Sequence, residues 1–387
     1  MSSNEWKTYR LDEILEVKYG KDHKSLSEGT IPVYGSGGIM RYADKSLYNE
    51  TSILIPRKGT LNNLFYLDKP FWTVDTMFWT ILKTSIIDPK FLFYKLTTFN
   101  YSDMNVGTAV PSMTVQVLNE LLVTIPEKAT QEKISSILSS IDEKIELNLQ
   151  TNQTIEEIAR TLFKEWFVNF NYPNADGSRK HSEFGEIPSD WKVGTLGDIY
   201  KTTSGGTPSR TKMEYYENGI YQWVKSKELN NSFIIDAEEK ITEAALKNSS
   251  AKILPKYSVL IAMYGATVGE IGITTDSVTC NQAICAFLPN ENYPYTFIYH
   301  FLLQCKQDII NQAVGSAQQN ISQQLLLQYK LVIPSAETVR AFHKVVSPLF
   351  EKIKDNIEEN ETLVNLRDSL LPKLMSGQIP ITIQTNN

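Results

Sequence analysis

Short polar loops that carry lysine, arginine, asparagine or glutamine recur along this sequence of 387 residues. Lysine and arginine can contact phosphate groups and guanine, and asparagine and glutamine can form paired hydrogen bonds with adenine. The candidates in the first part of the chain are Lys21, Lys24, Ser36, Arg57, Lys58, Thr60, Asn62, Thr108 and Ser112. Those in the second part are Thr207, Ser209, Arg210, Lys212, Lys225, Lys227, Tyr264, Thr267, Asn281, Gln282, Ser316, Gln318, Gln319 and Asn320. A single loop of this kind is more often an ordinary turn, so only the whole pattern can indicate nucleic-acid binding.

Motifs for catalysis or cofactor binding are missing from the sequence. It contains no GxGxxG and no GxxxxGK[ST] pattern, so nothing indicates a dinucleotide or triphosphate site. Residues 88–91 only faintly resemble an amino-methyltransferase motif, and the charged run at residues 236–240 is more typical of a solvated face than of a nuclease site. The four histidines show no metal-ligand spacing. We therefore predict no catalytic residue, no metal and no cofactor in this chain.

Composition indicates a globular protein with more than one domain. Hydrophobic residues make up 42% and charged residues 21% of the chain, and no apolar run is long enough for a membrane span. The first residues lack the pattern of a signal peptide, and the three cysteines show no CxxC spacing. We expect a cytoplasmic protein that makes no membrane contact and no disulfide framework.

The formal net charge of −6 at first argues against nucleic acid as a partner. Residues 1–130 carry 14 basic and 14 acidic residues, and residues 189–336 carry 12 and 13, so both regions are close to neutral. Residues 131–170 carry 4 basic and 7 acidic residues. Much of the acidic excess therefore lies outside the two regions that contain the polar loops.

The chain contains an internal tandem repeat. Residues 126–167 align without a gap on residues 334–375, always 208 positions later, with identical residues that include Glu143 and Glu351. Residues 6–20 match residues 191–205 at a separation of 185, and residues 52–59 match 258–265 at 206. The second copy therefore holds about twenty extra residues, and they lie within residues 206–256.

Two kinds of element follow from the residue pattern. Short β-rich runs between Gly, Asn and Pro turns predict mostly β domains at 1–129 and 189–336. Apolar residues at heptad spacing predict long helices at 130–170 and 337–377, each about 60 Å long. Thr130 and Ser335 are candidate N-caps. Residues 171–188 resemble a linker, and residues 378–387 form a C-terminal tail.

Four asparagines lie near the middle of the predicted helices, at Asn148, Asn152, Asn356 and Asn360. Polar residues in a heptad seam cost stability but fix the register of the pair. The alternative is that they lie just off the seam, with Leu149 and Ile357 inside it. The sequence by itself is compatible with parallel and with antiparallel pairing.

This layout resembles the specificity subunit of type I restriction-modification systems. The resemblance covers essentially the whole chain and includes the local strings at residues 31–38, 204–209 and 370–377. It implies an α+β fold in which two target recognition domains each bind one half of a bipartite, asymmetric site on double-stranded DNA. The two helices would pack as an antiparallel coiled coil with pseudo-two-fold symmetry, which sets the spacing of the half-sites.

The same resemblance implies that the chemistry is performed by partners. Two modification (methyltransferase) subunits would dock on the helices and carry S-adenosylmethionine, and restriction subunits would supply translocation and cleavage. Two alternatives stay open. The chain could serve a different restriction type, or it could be a non-DNA adaptor with twin β binding domains on a coiled-coil scaffold.

Overall fold

A computed structural model of the chain describes residues 6–104, 111–312 and 320–381. The chain divides into two compact units, of which unit 1 comprises Met1–Glu146 with Glu361–Asn387 and unit 2 comprises Leu147–Asn360. Each unit thus contains one globular domain together with one part of each long helix. Within the described ranges, no helix is both long and apolar enough to cross a membrane.

In the described residues of unit 1, short strands and short helices precede the first long helix. The strands are β1 (Lys7–Arg10), β2 (Leu15–Tyr19), β3 (Ile31–Gly35), β4 (Gly38–Ala43), β5 (Ser52–Pro56), β6 (Phe65–Leu67), β7 (Trp72–Thr73), β8 (Met77–Leu82) and β9 (Leu122–Ile125). The helices are α1 (Leu11–Ile14), α2 (Pro89–Thr97) and α3 (Val115–Asn119), and the long helix α4 (Lys128–Phe167) begins here. The sheets have the orders β2-β8-β5-β6, β4-β3-β7 and β1-β9.

Unit 2 repeats this arrangement with additions. Its strands are β10 (Arg179–Ser182), β11 (Gly185–Pro188), β12 (Lys192–Thr195), β13 (Thr202–Ser204), β14 (Tyr221–Val224), β15 (Ser232–Ile234), β16 (Lys240–Ile241), β17 (Val259–Ala262), β18 (Ile271–Thr274), β19 (Thr279–Cys280), β20 (Ile284–Phe287) and β21 (Lys330–Ile333). Its helices are α5 (Glu243–Lys247), α6 (Tyr295–Gln312), α7 (Gln323–Gln328) and the long α8 (Ala336–Met375). The sheets have the orders β13-β20-β17-β18-β15, β16-β14-β19, β12-β21 and β10-β11.

The strand orders show that the sequence repeat is also a structural repeat. The order β2-β8-β5-β6 in unit 1 corresponds to β13-β20-β17-β18 in unit 2, and β4-β3-β7 corresponds to β16-β14-β19. In both small sheets the central strand pairs antiparallel with one neighbour and parallel with the other. The predicted α+β architecture of two mostly β domains, each followed by a long helix, is confirmed.

The extra residues of the second copy lie mainly between two paired strands. In unit 1 the turn between β3 and β4 consists of Ser36 and Gly37, whereas in unit 2 residues 225–239 separate β14 from β16. This longer segment contains β15, which adds a fifth strand to the main sheet by pairing parallel with β18. We call residues 225–239 the inserted segment.

The long helices have the same length and keep the spacing of the repeat. Helix α4 has 40 residues, as does α8, and each boundary of α8 lies 208 positions after that of α4. Ser335 caps α8 as predicted, because its hydroxyl accepts a hydrogen bond from the Thr338 backbone N–H at 3.2 Å. The prediction for Thr130 is wrong, since α4 begins two residues earlier. The repeat equivalent of Ser335 is Glu127, and a cap at that position is consistent with a start at Lys128.

Within unit 2 the two long helices run antiparallel. Asn148 contacts Asn360, and Asn152 contacts Asn356, so residues later in one helix meet residues earlier in the other. Further along, Phe342 of α8 packs against α4, with its ring centroid 5.9 Å from that of Phe163. In unit 1, Arg367 of α8 forms a salt bridge with Asp142 of α4 at 2.9 Å.

The region predicted as a linker, residues 171–188, is more ordered than the sequence indicated. It contains the antiparallel hairpin β10–β11, whose register pairs Arg179 with Pro188. Tyr172 stacks on Trp191 with ring centroids 5.2 Å apart. The chain therefore enters the second domain through an antiparallel hairpin.

Candidate nucleic-acid interface

The polar loops of the first domain meet at one end of its sheets. Four hydrogen bonds join them: Lys21 N to Thr73 O (2.8 Å), Thr73 Oγ1 to Tyr34 O (3.1 Å), Asn63 Nδ2 to Ser36 O (2.8 Å) and Gly59 N to Pro111 O (3.1 Å). Lys24, Ser36 and Thr76 line an open depression between these loops. Residues far apart in the sequence are thus brought into one surface, which we call the first loop face.

Close backbone approach explains a glycine in this arrangement. A Cβ atom on Gly20 would lie 2.0 Å from the carbonyl oxygen of Val74, which is far inside contact distance. At the equivalent place in the second domain, a Cβ atom on Gly205 would lie 2.0 Å from the carbonyl oxygen of Cys280. Both domains therefore need glycine here, and the frame that positions the loops is the same.

Three lysines of the first loop face have exposed side chains. Across residues 6–104, 111–312 and 320–381, the exposed side chains of Lys21, Lys24 and Lys58 form neither an ion pair nor a hydrogen bond. Arg57 is held in place, because it donates to the Asp75 carbonyl at 3.2 Å and lies 5.2 Å from the centroid of the Tyr19 ring. The three lysines are therefore available for phosphate contacts.

The remaining candidate DNA contacts of the first domain differ in how exposed their side chains are and in whether they already form hydrogen bonds. Asn62 is engaged in the fold, because its Oδ1 accepts from the Tyr101 backbone N–H at 2.9 Å. Thr60 is exposed, and Ser112 is half-buried in a β-bridge with Lys58. Thr108 lies outside the described residues, as do Ser316, Gln318 and Gln319 of the second domain.

Sequence reasoning missed the strand β4, whose residues lie beside the same loops. Ile39, Met40 and Tyr42 are large side chains that are about half exposed. Met40 lines the same depression as Lys24. An apolar run in a strand normally indicates core, so no signal in the sequence distinguished this exposed strand.

The loops of the second domain also come together, in what we call the second loop face. Three hydrogen bonds join them: Thr207 Oγ1 to Gln282 Oε1, Trp223 Nε1 to Gly206 O (3.0 Å) and Asn281 N to Val224 O (3.0 Å). Met263, next to Tyr264, donates its backbone N–H to the Ala283 carbonyl at 2.7 Å and accepts from the Ile321 N–H at 2.6 Å. The loops that these hydrogen bonds connect also carry the candidates Thr267, Ser209 and Asn320.

Three cations of the second loop face form ion pairs with carboxylates, unlike the lysines of the first. Arg210 binds Glu239 at 2.5 Å, and Lys227 binds Glu238 at 2.6 Å. Lys225 binds Glu238 at 2.9 Å and Glu239 at 2.8 Å, and lies 3.7 Å from Glu228. We call these three cations and three carboxylates the ion-pair cluster. Two of its carboxylates, Glu238 and Glu239, belong to the charged run at 236–240.

Aromatic contacts and burial hold the cluster in place. The guanidinium of Arg210 lies 4.5 Å from the Tyr216 ring centroid and 4.9 Å from that of Trp223. The Lys225 side chain is only 15% exposed. Burial opposes its charge, but hydrogen bonds with Glu239 and Glu238 outweigh it and raise the pKa of Lys225.

Ion pairs lower the pKa of Glu238 and of Glu239, whereas burial raises the pKa of Glu228. Hydrogen bonds from Lys227 and Lys225 lower the pKa of Glu238 to about 2. Lys212 differs from the cluster cations, because its ammonium group donates to the Tyr215 hydroxyl at 3.0 Å. The cluster therefore contains equal numbers of basic and acidic side chains.

The four asparagines of the helices lie between α4 and α8 in unit 2. Asn148 and Asn356 are 2% and 0% exposed and Leu149 is 53% exposed, so the placement of the asparagines just off the seam is wrong, although Ile357 does pack against the core of unit 2. Nδ2 of Asn148 donates to Oδ1 of Asn360 at 2.8 Å, and Nδ2 of Asn356 donates to Oδ1 of Asn152 at 2.7 Å. In the sequence repeat, Asn148 corresponds to Asn356 and Asn152 corresponds to Asn360, so the two hydrogen bonds are equivalent.

No group of three or more His, Cys, Asp or Glu side chains in the described part of the chain is arranged to hold a metal ion. Cys280, Cys285 and Cys305 are free thiols. The first two are buried, which raises the pKa of each to about 12.

Comparison with known proteins places this arrangement in a family. A family model described as "Type I restriction modification DNA specificity domain" matches residues 3–157 and 188–363. The HindI specificity subunit of Haemophilus influenzae is 28% identical, covering 80% of this chain and 81% of that protein. The MjaIX specificity subunit of Methanocaldococcus jannaschii is 27% identical, covering 97% and 94%.

A solved structure supports the same fold. The type I restriction-modification S subunit from M. genitalium superposes with a TM-score of 0.70 at 20% identity, covering 100% of this chain and 98% of that one. Both copies of the sequence repeat lie largely within the matched residues of the family model. This chain therefore belongs to the family of type I restriction-modification DNA specificity domains.

Proposed function

We propose that this chain is the sequence-recognition subunit of a cytoplasmic type I restriction-modification complex, and that it performs no catalysis itself. Each globular domain binds one half of a bipartite site on double-stranded DNA through its loop face. The observation that carries the proposal is that the two domains have the same strand order but differ in their loops. Two readers of different half-sites would differ in this way.

The loop faces have the chemistry that duplex DNA requires. Lys21, Lys24 and Lys58 can bind phosphates, and in the second domain Gln282 is exposed on a turn next to the half-buried Asn281. Family membership favours this function over a protein or glycan adaptor. With the exception of Asn62 and of Arg210, Lys225 and Lys227, which bind carboxylates of the protein, the candidate residues on the loop faces remain our proposed DNA contacts.

The long helices offer equivalent apolar positions for two copies of one partner. Ile158 on α4 is 46% exposed, and Leu366, its equivalent 208 positions later on α8, is 45% exposed. An exposed leucine or isoleucine repeated at the same place on both helices fits a binding site for the same protein on each. We assign these positions to two methyltransferase subunits, which would bind S-adenosylmethionine and methylate adenine, with restriction subunits joining them.

Methylome sequencing tests the recognition function. The chain is expressed with its methyltransferase in a host that lacks adenine methylation of its own, and methylated adenines are mapped. We expect a bipartite motif, and a chimera in which residues 1–130 come from a relative should change one half of it. A change in both halves would contradict recognition by separate domains.

A second measurement addresses catalysis. The purified chain alone is incubated with duplex DNA and either S-adenosylmethionine or Mg²⁺. We expect neither methyl transfer nor cleavage, and activity that appears only when the partner subunits are added. Methyl transfer or cleavage by the chain alone, retained through repeated purification, would refute the non-catalytic role.

A further inference from the structure

The inserted segment is a packed element of unit 2. Leu229, Ile234 and Ala237 are buried in one hydrophobic cluster with Leu260 and Ala262 of the main sheet. Strand β15 also adds backbone hydrogen bonds to β18. Because both ends of the segment are fixed in this way, its charged side chains have defined positions.

The inserted segment supplies most of the ion-pair cluster. Lys225 and Lys227 lie at its beginning, and Glu238 and Glu239 at its end. The segment therefore brings its own counter-charges to the second loop face. Only Arg210 comes from elsewhere, and it binds Glu239 of the segment.

The corresponding place in the first domain has a different charge. There the turn is Ser36 and Gly37, and the nearby lysines at positions 21, 24 and 58 have no partner within the described ranges. Asp22 and Asp75 lie in the same depression, so the face is not purely basic. Together with Arg57, the first loop face still has an excess of positive charge, whereas the cluster in the second domain is balanced.

The salt dependence of DNA binding distinguishes lysines that have no protein partner from lysines that already bind a carboxylate. A cation that neutralises a phosphate releases condensed counterions, and each such contact contributes about −0.9 to the slope of log K against log[salt]. A lysine that already binds a protein carboxylate must exchange that partner for the phosphate. Its contribution to the slope and to the free energy of DNA binding is therefore small. The two domains should therefore contribute unequally to the slope.

We propose that the ion-pair cluster positions the second loop face without contributing phosphate contacts, and that the first domain supplies the larger share of the electrostatic binding. This inference rests on the proposed DNA-binding function. It assigns Glu238 and Glu239 as positioning residues that restrain cations otherwise available to any DNA. The second domain then depends more on direct contacts with bases than on its charge.

The test uses the assembled complex of this chain with its methyltransferase subunits. The DNA-binding constant K is measured at several salt concentrations, and the slope of log K against log[salt] is determined for a random-sequence duplex and for a duplex that carries the motif found by methylome sequencing. For the triple variant Lys21→Ala, Lys24→Ala and Lys58→Ala, we expect the slope to fall in magnitude by up to about 2.7. For Lys227→Ala we expect a slope within a few tenths of the wild-type value. For Glu238→Gln, which frees Lys227, we expect a slope steeper by about 0.9 and tighter binding to random-sequence DNA.

A matched control removes the same charge from the same domain outside the cluster. Glu243 pairs with Lys247 on α5, where both side chains are more than half exposed, and Glu243→Gln should leave the slope unchanged. A decrease of about 0.9 in the slope magnitude for Lys227→Ala, or no decrease for the triple variant, would overturn the inference. Failure of the proposed function is distinguishable, since the wild-type complex would then show no preference for the motif duplex at any salt concentration.

Discussion

The hydrogen bond between Asn152 and Asn356 allows a quantitative test of how the long helices pack in unit 2. Asn356 is fully buried and Asn152 is 7% exposed, and their amides are joined at 2.7 Å. Replacing either asparagine with leucine leaves the other amide buried without this partner. We expect each single substitution to lower the free energy of unfolding by about 1–3 kcal/mol.

The double variant should behave very differently from the sum of the single variants. Asn152→Leu with Asn356→Leu removes both polar groups and replaces them with side chains of similar size, which is commonly neutral or stabilising. If each single variant costs about 2 kcal/mol, the non-additivity approaches 4 kcal/mol. Independent sites deviate from additivity by only a few tenths of a kcal/mol.

Urea unfolding followed by circular dichroism gives the four free energies of this cycle. Gln153→Leu, at an exposed position on the same helix, serves as the control and should add independently to Asn356→Leu. A double variant as unstable as the sum of its single variants would refute the buried hydrogen bond. The neighbouring pair of Asn148 and Asn360 is left intact in this design.

The register of the helices gives a second measurement. Cysteines introduced by Asn148→Cys and Asn360→Cys should form a disulfide efficiently in the wild-type register. In the background of the two leucines, we expect a lower yield, because an apolar layer tolerates displacement that paired amides do not. An undiminished yield would show that these asparagines stabilise the pairing without determining its register.

Three further outcomes follow from individual contacts. Burial holds the pKa of His300 at about 4, so stability present at pH 7 should be lost as the pH falls from 6.5 towards 4, by about 3 kcal/mol, and His300→Gln should remove this dependence in urea titrations. Gly20→Ala should destabilise the protein by about 2 kcal/mol or more in thermal unfolding, whereas Gly37→Ala, which meets no atom within 4 Å, should have little effect. Ile158→Glu and Leu366→Glu should each remove one methyltransferase subunit from the complex in native mass spectrometry, and loss of neither would contradict the docking proposal.

The features predicted well from the sequence are those encoded locally or by repetition. Heptad spacing and a constant separation of 208 predicted two long helices of equal length at 130–170 and 337–377, and the structure has them at Lys128–Phe167 and Ala336–Met375. The shift in separation placed the extra residues within 206–256, which includes the inserted segment. A helical period and a repeat are both visible in neighbouring residues, so neither needs tertiary contacts to be recognised.

The candidate site was less predictable, because the partners of its side chains are remote in sequence. Arg210 and Lys225 are predicted as DNA contacts from their residue type, and in the structure both bind Glu239. Asn62 looked like an adenine contact but accepts a hydrogen bond from Tyr101. Residue type indicates what a side chain can bind, whereas the fold decides whether it is already occupied.

The inserted segment shows how one frame can support two different recognition surfaces. The close approaches at Gly20 and Gly205 are the same, and Gly59 and Gly265 share a φ of +88°, so the loops start from equivalent backbone positions. A longer turn between β14 and β16 would ordinarily expose apolar surface and unpaired charge. The inserted segment avoids both, because it buries its own apolar side chains and carries carboxylates for its own lysines. An insertion that satisfies its own contacts leaves the frame unchanged, and the charge of one loop face can then differ from that of the other without cost to the fold.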